Sequence, residues 1–255
     1  MAARLKGRVN GRVLCLGTTL ALITAAALLG AAAAQEAKPP AQYKKAGSFS
    51  GGNELPGCVL SSIRFGKHPD FHRIVLDFSV GQAGKVVDAP RHPPYRVEYR
   101  EFPYRLKIVL EGVKYSETAR VDTAHALPLS IVTKADNEIQ LAEVFLQGPA
   151  LFKVIEIDDP AKLAIDVKYL PYEPIPTVYA VQLQGVKDVQ MAFTLLTSGE
   201  FPAGFRPDVI VIGNAVFVEN CYLALEEAAA AVASLGEAGY PALVIERRGD
   251  ELPRH

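Results

Sequence analysis

The sequence predicts a mixed fold: an all-β sandwich followed by a smaller α+β unit. Three observations carry this. Residues 58–169 hold short β-branched and aromatic runs bounded by Gly, Pro, Asp and His clusters, with no helical stripe of useful length. Residues 171–176, within LPYEPIP, form a stiff Pro-rich linker. Behind it, strand and helix patterns alternate over fewer than eighty residues.

In the first part, CVLSSIRF, RIVLDFSV, YRVEYRE and YRLKIVLEGV read as strands. Leu106, Ile108 and Leu110 alternate with Lys107 and Glu111, the pattern of a half-buried strand. The order RIVLDF…PYRVEYREFPYRLKIVLEGV returns loosely as LAEVFLQGP…FKVIEIDDPAKLAIDVKYL. In each copy a strand leads to a hairpin, broken by Phe102-Pro103 in one and by Asp158-Asp159-Pro160 in the other. Tandem β units of this kind predict a sandwich with pseudo-symmetric halves, although any two β meanders share some likeness.

In the second part, TVYAVQLQG reads as a strand. VKDVQMAFTLLTS reads as a helix, with Val189, Ala192, Phe193 and Leu196 on one stripe and Asp188 as its cap. PDVIVIG and AVFVENC form a hairpin around Gly213-Asn214. ALEEAAAAVASLGEAG is the strongest helix, with stripe Leu225, Ala228, Val232 and Leu235, acids Glu226 and Glu227 in its first turn, and Gly236 and Gly239 at its end. PALVIERRG closes as a strand. The βαββαβ order is ferredoxin-like: a four-stranded antiparallel sheet with both helices on one face. Residues 250–255 are left as a tail.

The N-terminus has its own signature. Arg4, Lys6, Arg8 and Arg12 precede the apolar run 13–30, which ends in Ala31-Ala32-Ala33-Ala34, as in a secretory signal of residues 1–34. The rival reading is a retained anchor, since residues 13–34 are long enough to span a membrane. Either way the rest of the chain is expected outside the cytoplasm, in the periplasm or cell envelope. Residues 35–57 read as a flexible linker with too little apolar area to fold.

Without its four leader cations, the chain falls from 27 to 23 Lys and Arg against 28 Asp and Glu, a formal charge of −5. That balance, with no basic block, argues against nucleic acid as a partner. Beyond the leader only Cys58 and Cys221 remain. They read either as one disulfide or as a buried thiol and a loop thiol.

The chain carries no H-E-x-x-H, G-x-S-x-G, Walker or C-x-x-C motif, and no cofactor or metal is expected. His68 and His72 stand four apart, but Pro69 makes a polar turn of that segment. Asp70, Asp77 and Glu98 are the carboxylates that a hydrolase reading would have to use, with nothing to single them out. The expectation is a protein that is not an enzyme.

A binding surface is more suggestive. In TVYAVQLQG, Gln182 and Gln184 lie on the strand face opposite Tyr179, Val181 and Leu183. If the apolar set faces the helices, the amides point to an open face, where they suit neutral, hydroxyl- and acetamido-rich glycans; the alternative is two solvated strand residues. Phe217 and Tyr222 add a stacking surface there, unless Phe217 is core.

Two family resemblances follow. CVLSSIRFGKHPDFHRIVLDF…PYRVEYRE…LKIVLEGV, to residue 170, resembles AMIN-like domains, β-sandwich modules of periplasmic proteins that target cell-wall amidases to the envelope. VYAVQLQG…VFVENCYLALEEAAAAVASLGEAGYPALVIER, over 177–249, resembles SPOR domains, which bind peptidoglycan glycan strands. Gln182 matches the V-Q-L opening, while Gln184-Gly185-Val186 replace the small pair and aromatic usual there. The resemblance implies peptidoglycan binding, or placement on cell-wall and division machinery. The alternative is an assembly factor that contacts envelope proteins without binding sugar.

Overall fold

The computed structural model describes residues 42–82, 85–121, 125–134 and 136–254. The expected export signal lies outside them. Residues 41–255 form one compact unit. Among the described residues no helix is long and apolar enough to cross a membrane.

The N-terminal part is entirely β, with strands β1 (Ser48–Gly51), β2 (Cys58–Lys67), β3 (His72–Gln82), β4 (Lys85–Asp88), β5 (Tyr95–Arg100), β6 (Arg105–Leu110), β7 (Lys114–Val121), β8 (Leu129–Thr133), β9 (Ile139–Phe145), β10 (Ala150–Ile157) and β11 (Lys162–Tyr169). One sheet runs β1-β5-β6-β9-β8. The other runs β10-β11-β3-β2-β7, with β4 beside β3. Both contribute to a single apolar cluster that includes Leu60, Ile74, Phe78, Val97, Leu106, Ile108, Phe152 and Ile165. Period-2 alternation builds it. In β5, Tyr95, Val97 and Tyr99 point in, while Arg96, Glu98 and Arg100 point away. Fully burying a side chain such as Phe152 contributes about 1.5–3 kcal/mol.

The two sheets exchange strands in a way that rationalises the sequence repeat. The β5–β6 hairpin of the first copy pairs with β9, the lead strand of the second. The β10–β11 hairpin of the second copy pairs with β3, the lead strand of the first. β2 and β8 then extend the sheets beyond β3 and β9. The hairpin breaks are also equivalent. Phe102 (φ 59°) and Asp159 (φ 49°) both adopt left-handed backbone before a cis proline, Pro103 and Pro160.

One expectation is corrected. The stretch 35–57 is not all flexible linker, because β1 pairs with β5 and Lys44 bridges to Phe152. The sequence lacks apolar area there, but backbone pairing to a free sheet edge needs little. Phe49 supplies an anchor, packing edge-on against Phe152 at 5.3 Å. Gly52 (φ 80°) makes the tight entry possible: a Cβ there would meet the Pro93 carbonyl oxygen at 1.9 Å.

The C-terminal part contains β12 (Thr177–Leu183), α1 (Val189–Ser198), β13 (Asp208–Ile212), β14 (Ala215–Tyr222), α2 (Leu225–Glu237) and β15 (Ala242–Arg248). Its sheet is antiparallel throughout, in the order β13-β14-β12-β15. Asp188 caps α1 by accepting from the Met191 backbone N–H at 2.7 Å. Both helices cover one sheet face, where Ala192, Ala228 and Leu235 pack with Val181, Leu183, Val209 and Val218. Leu225 departs from the expected stripe and is 48% exposed, because α2 starts at that residue.

Candidate functional site

The face of the C-terminal sheet away from its helices is not open. It packs against the outer face of the β5-β6-β9 sheet. Phe217 and Ile210 form an apolar cluster with Phe145 of β9, flanked by Leu252 from the chain end. Beside it lies a buried charge network. Arg105 is only 2% exposed although it occupies a solvent phase of β6. Its Nε donates to Glu143 Oε1 at 2.8 Å and its Nη2 to Asp208 Oδ2 at 2.5 Å. Lys107 also contacts Asp208. Glu143 Oε2 accepts from the Val211 backbone N–H at 3.2 Å. A second cluster adjoins, in which Arg247 holds Glu219, and both Arg247 Nη2 (3.1 Å) and Cys221 Sγ (3.2 Å) donate to the Phe102 carbonyl.

These surroundings shift the ionisable groups. Burial penalises the Arg105 charge, but Asp208 and Glu143 outweigh it and hold the guanidinium above its ordinary value. Burial likewise opposes ionisation of Asp208, and Arg105 and Lys107 reverse that, so its carboxyl lies below the usual range. Glu143 is more deeply enclosed. Desolvation raises it in spite of Arg105. Burial, aided by Glu219, pushes the Cys221 thiol up to about 12, so it stays protonated and unreactive at neutral pH.

The expected glycan-binding set is therefore divided, and the expectation of an open glutamine face is corrected. Gln182 is 5% exposed, and its Oε1 is buried without a hydrogen-bond partner among the described residues. Phe217 is buried in the junction. Tyr222 lies on the opposite face, against the helices. Gln184 is exposed just beyond β12. Alternation assigned the helix-facing residues rightly, but it carries no information about what covers the other side. The disulfide option is corrected too, as both cysteines are free. Cys58 sits in the sandwich core, its thiol raised to about 11 by burial, while Cys221 belongs to a different sheet. His68 stacks on Phe71 in a turn and His72 begins β3. No metal-binding cluster occurs among the described residues.

Where the two parts do not close fully, a cleft of about 430 Å³ remains. One wall is the β5–β6 turn with Tyr99, Arg100, Glu101 and Phe102, next to Lys45 of the lead-in. The other carries Arg206, Asp208, Ile210, Glu219 and Cys221. The volume falls in the range of small-ligand sites. Its charges are of two kinds. Lys45 is tied to Glu173 at 2.7 Å, Glu219 to Arg247, and Asp208 to Arg105 and Lys107. Arg206 and Glu101, by contrast, are exposed and make no ion pair among the described residues. Sequence reasoning missed this cleft because its walls come from segments about a hundred residues apart.

No protein-family model, curated protein or solved structure matches this chain.

Proposed function

We propose that this chain is a non-catalytic binding protein of the cell envelope that attaches to peptidoglycan, and that it does so through the cleft between its two parts. The observation that carries this is the contrast within the cleft. Asp208 and Glu219 are neutralised by neighbouring cations, while Arg206 and Glu101, at its walls, have no ion-pair partner among the described residues. Carboxylates engaged in ion pairs hold the protein together and are poorly placed to move protons; unpaired charges on a concave surface serve recognition. Residues 58–170 as an AMIN-like sandwich and 177–249 as a SPOR-like unit agree with the pseudo-symmetric sheets and the βαββαβ order. The compartment follows from the export signal expected in residues 1–34.

Co-sedimentation of the exported protein with purified sacculi tests the reading. Wild-type protein is expected in the pellet, with Arg206→Glu released from it. Protein that stays in the supernatant overturns it, and release of soluble muropeptides overturns the non-catalytic part. A second reading, an assembly factor that binds envelope proteins and no wall polymer, is favoured by the burial of Phe217 and Gln182, which removes the sheet face a glycan strand would need.

A further inference from the structure

The two unpaired charges of the cleft have opposite signs, which narrows the ligand. Arg206 precedes β13 on one wall, and Glu101 sits in the β5–β6 turn on the other. Arg100 stands between them in character. Its side chain is 44% exposed and reaches Glu98 at 3.2 Å and Asp208 at 3.7 Å, which leaves room on its guanidinium for a further acceptor. An uncharged sugar would leave both Arg206 and Glu101 without a partner. A polyanion would gain Arg206 and meet Glu101 as a like charge. A ligand with one carboxylate and one ammonium satisfies both walls at once.

We propose that the cleft binds a short zwitterionic peptide segment, its carboxylate on Arg206 with Arg100 and its ammonium on Glu101. This rests on the reading of the cleft as the binding site, and it selects the peptide component of the wall polymer over the glycan.

The test is calorimetric titration of the exported protein with four probes: trialanine, N-acetyl-trialanine, trialanine amide and an N-acetylglucosamine tetramer. Trialanine is expected to bind best, with removal of either terminal charge weakening it by about three- to fivefold, the scale of a partly exposed ion pair. Glu101→Gln is expected to abolish the preference for a free amine, and Arg206→Ala the preference for a free carboxylate. Both residues are exposed, so neither change disturbs the core. Equal binding of all four probes, tighter binding of the sugar, or no binding of trialanine overturns the inference. If sacculi still pellet the protein while trialanine fails, only the peptide assignment falls; if neither binds, the functional reading falls with it.

Discussion

Arg105 Nη2 donates to Asp208 Oδ2 over 2.5 Å, joining β6 of the sandwich to β13 of the C-terminal sheet across 103 residues of chain. The pair, with Glu143, forms the polar centre of the junction. Burying charge in this way is costly in itself, and removing one member leaves the others uncompensated. Arg105→Ala is therefore expected to destabilise the protein by about 3–5 kcal/mol in urea unfolding. In a double-mutant cycle with Asp208→Ala, the two losses should sum to clearly more than the double variant shows.

The acid response of Asp208 has a defined sign, opposite to that of Glu143, whose carboxyl is raised by burial. The Asp208 carboxyl titrates below its ordinary value, because Arg105 and Lys107 outweigh burial. Its contribution is present above the unfolded carboxylate value of about 4 and is lost as pH falls through the lower, folded value. Asp77 adds to the same slope: burial pushes its carboxyl up, but hydrogen bonds from Arg64 and Ser62 prevail and hold it low. Asp208→Asn should thus flatten the fall of stability below about pH 4 without removing it. Urea midpoints measured across that range decide the matter; an unchanged slope counts against it.

Cys221 reports on the same junction. Its thiol is enclosed beside Arg247 and the Phe102 carbonyl and is pushed up to about 12. In a Cys58→Ser background, labelling by a thiol-disulfide reagent should be slow in the native protein. It should accelerate at least tenfold in Arg247→Ala, where Glu219 loses its guanidinium. Equal labelling rates would show that Arg247 does not hold the junction closed.

Gln182 tests the glycan reading of the sheet face directly. Its buried Oε1 has no partner among the described residues, a cost of about 1–3 kcal/mol. Gln182→Leu should accordingly raise the melting temperature or leave it unchanged, with sacculus binding unaffected. Lost binding at unchanged stability would return the site to the sheet face.

Gly249 is a steric prediction. A Cβ there would lie 2.7 Å from the Phe102 ring, next to the carbonyl that Cys221 and Arg247 share. Gly249→Ala should cost about 1–3 kcal/mol by thermal unfolding and speed Cys221 labelling along with it.

Much of the architecture was legible locally. Alternation in β5 and β6, the Asp188 cap, the Gly213-Asn214 turn and the stripe of α1 are all short-range patterns, and each corresponds to an observed element. The tandem repeat was legible as well, though not its consequence that each copy lends its lead strand to the other sheet. The candidate site was almost illegible. Gln182 reads as an exposed amide because alternation labels faces without saying what lies against them, and Arg105, in phase with Lys107 on β6, is buried by the same unforeseen cover.

By itself, then, the sequence determined the repeated strands of the sandwich, the C-terminal elements in their order and the helix-facing side of their sheet, since these depend on contacts between residues close along the chain; β1, β4, β7 and β8 carry no such local signal. Only the tertiary structure decided which face of that sheet is covered, which charges are buried together and which two remain free in a cleft. Those outcomes depend on docking two separate β surfaces, where the apolar cluster of Phe145, Ile210 and Phe217 and the Arg105–Asp208 pair outweigh the periodicity of either strand.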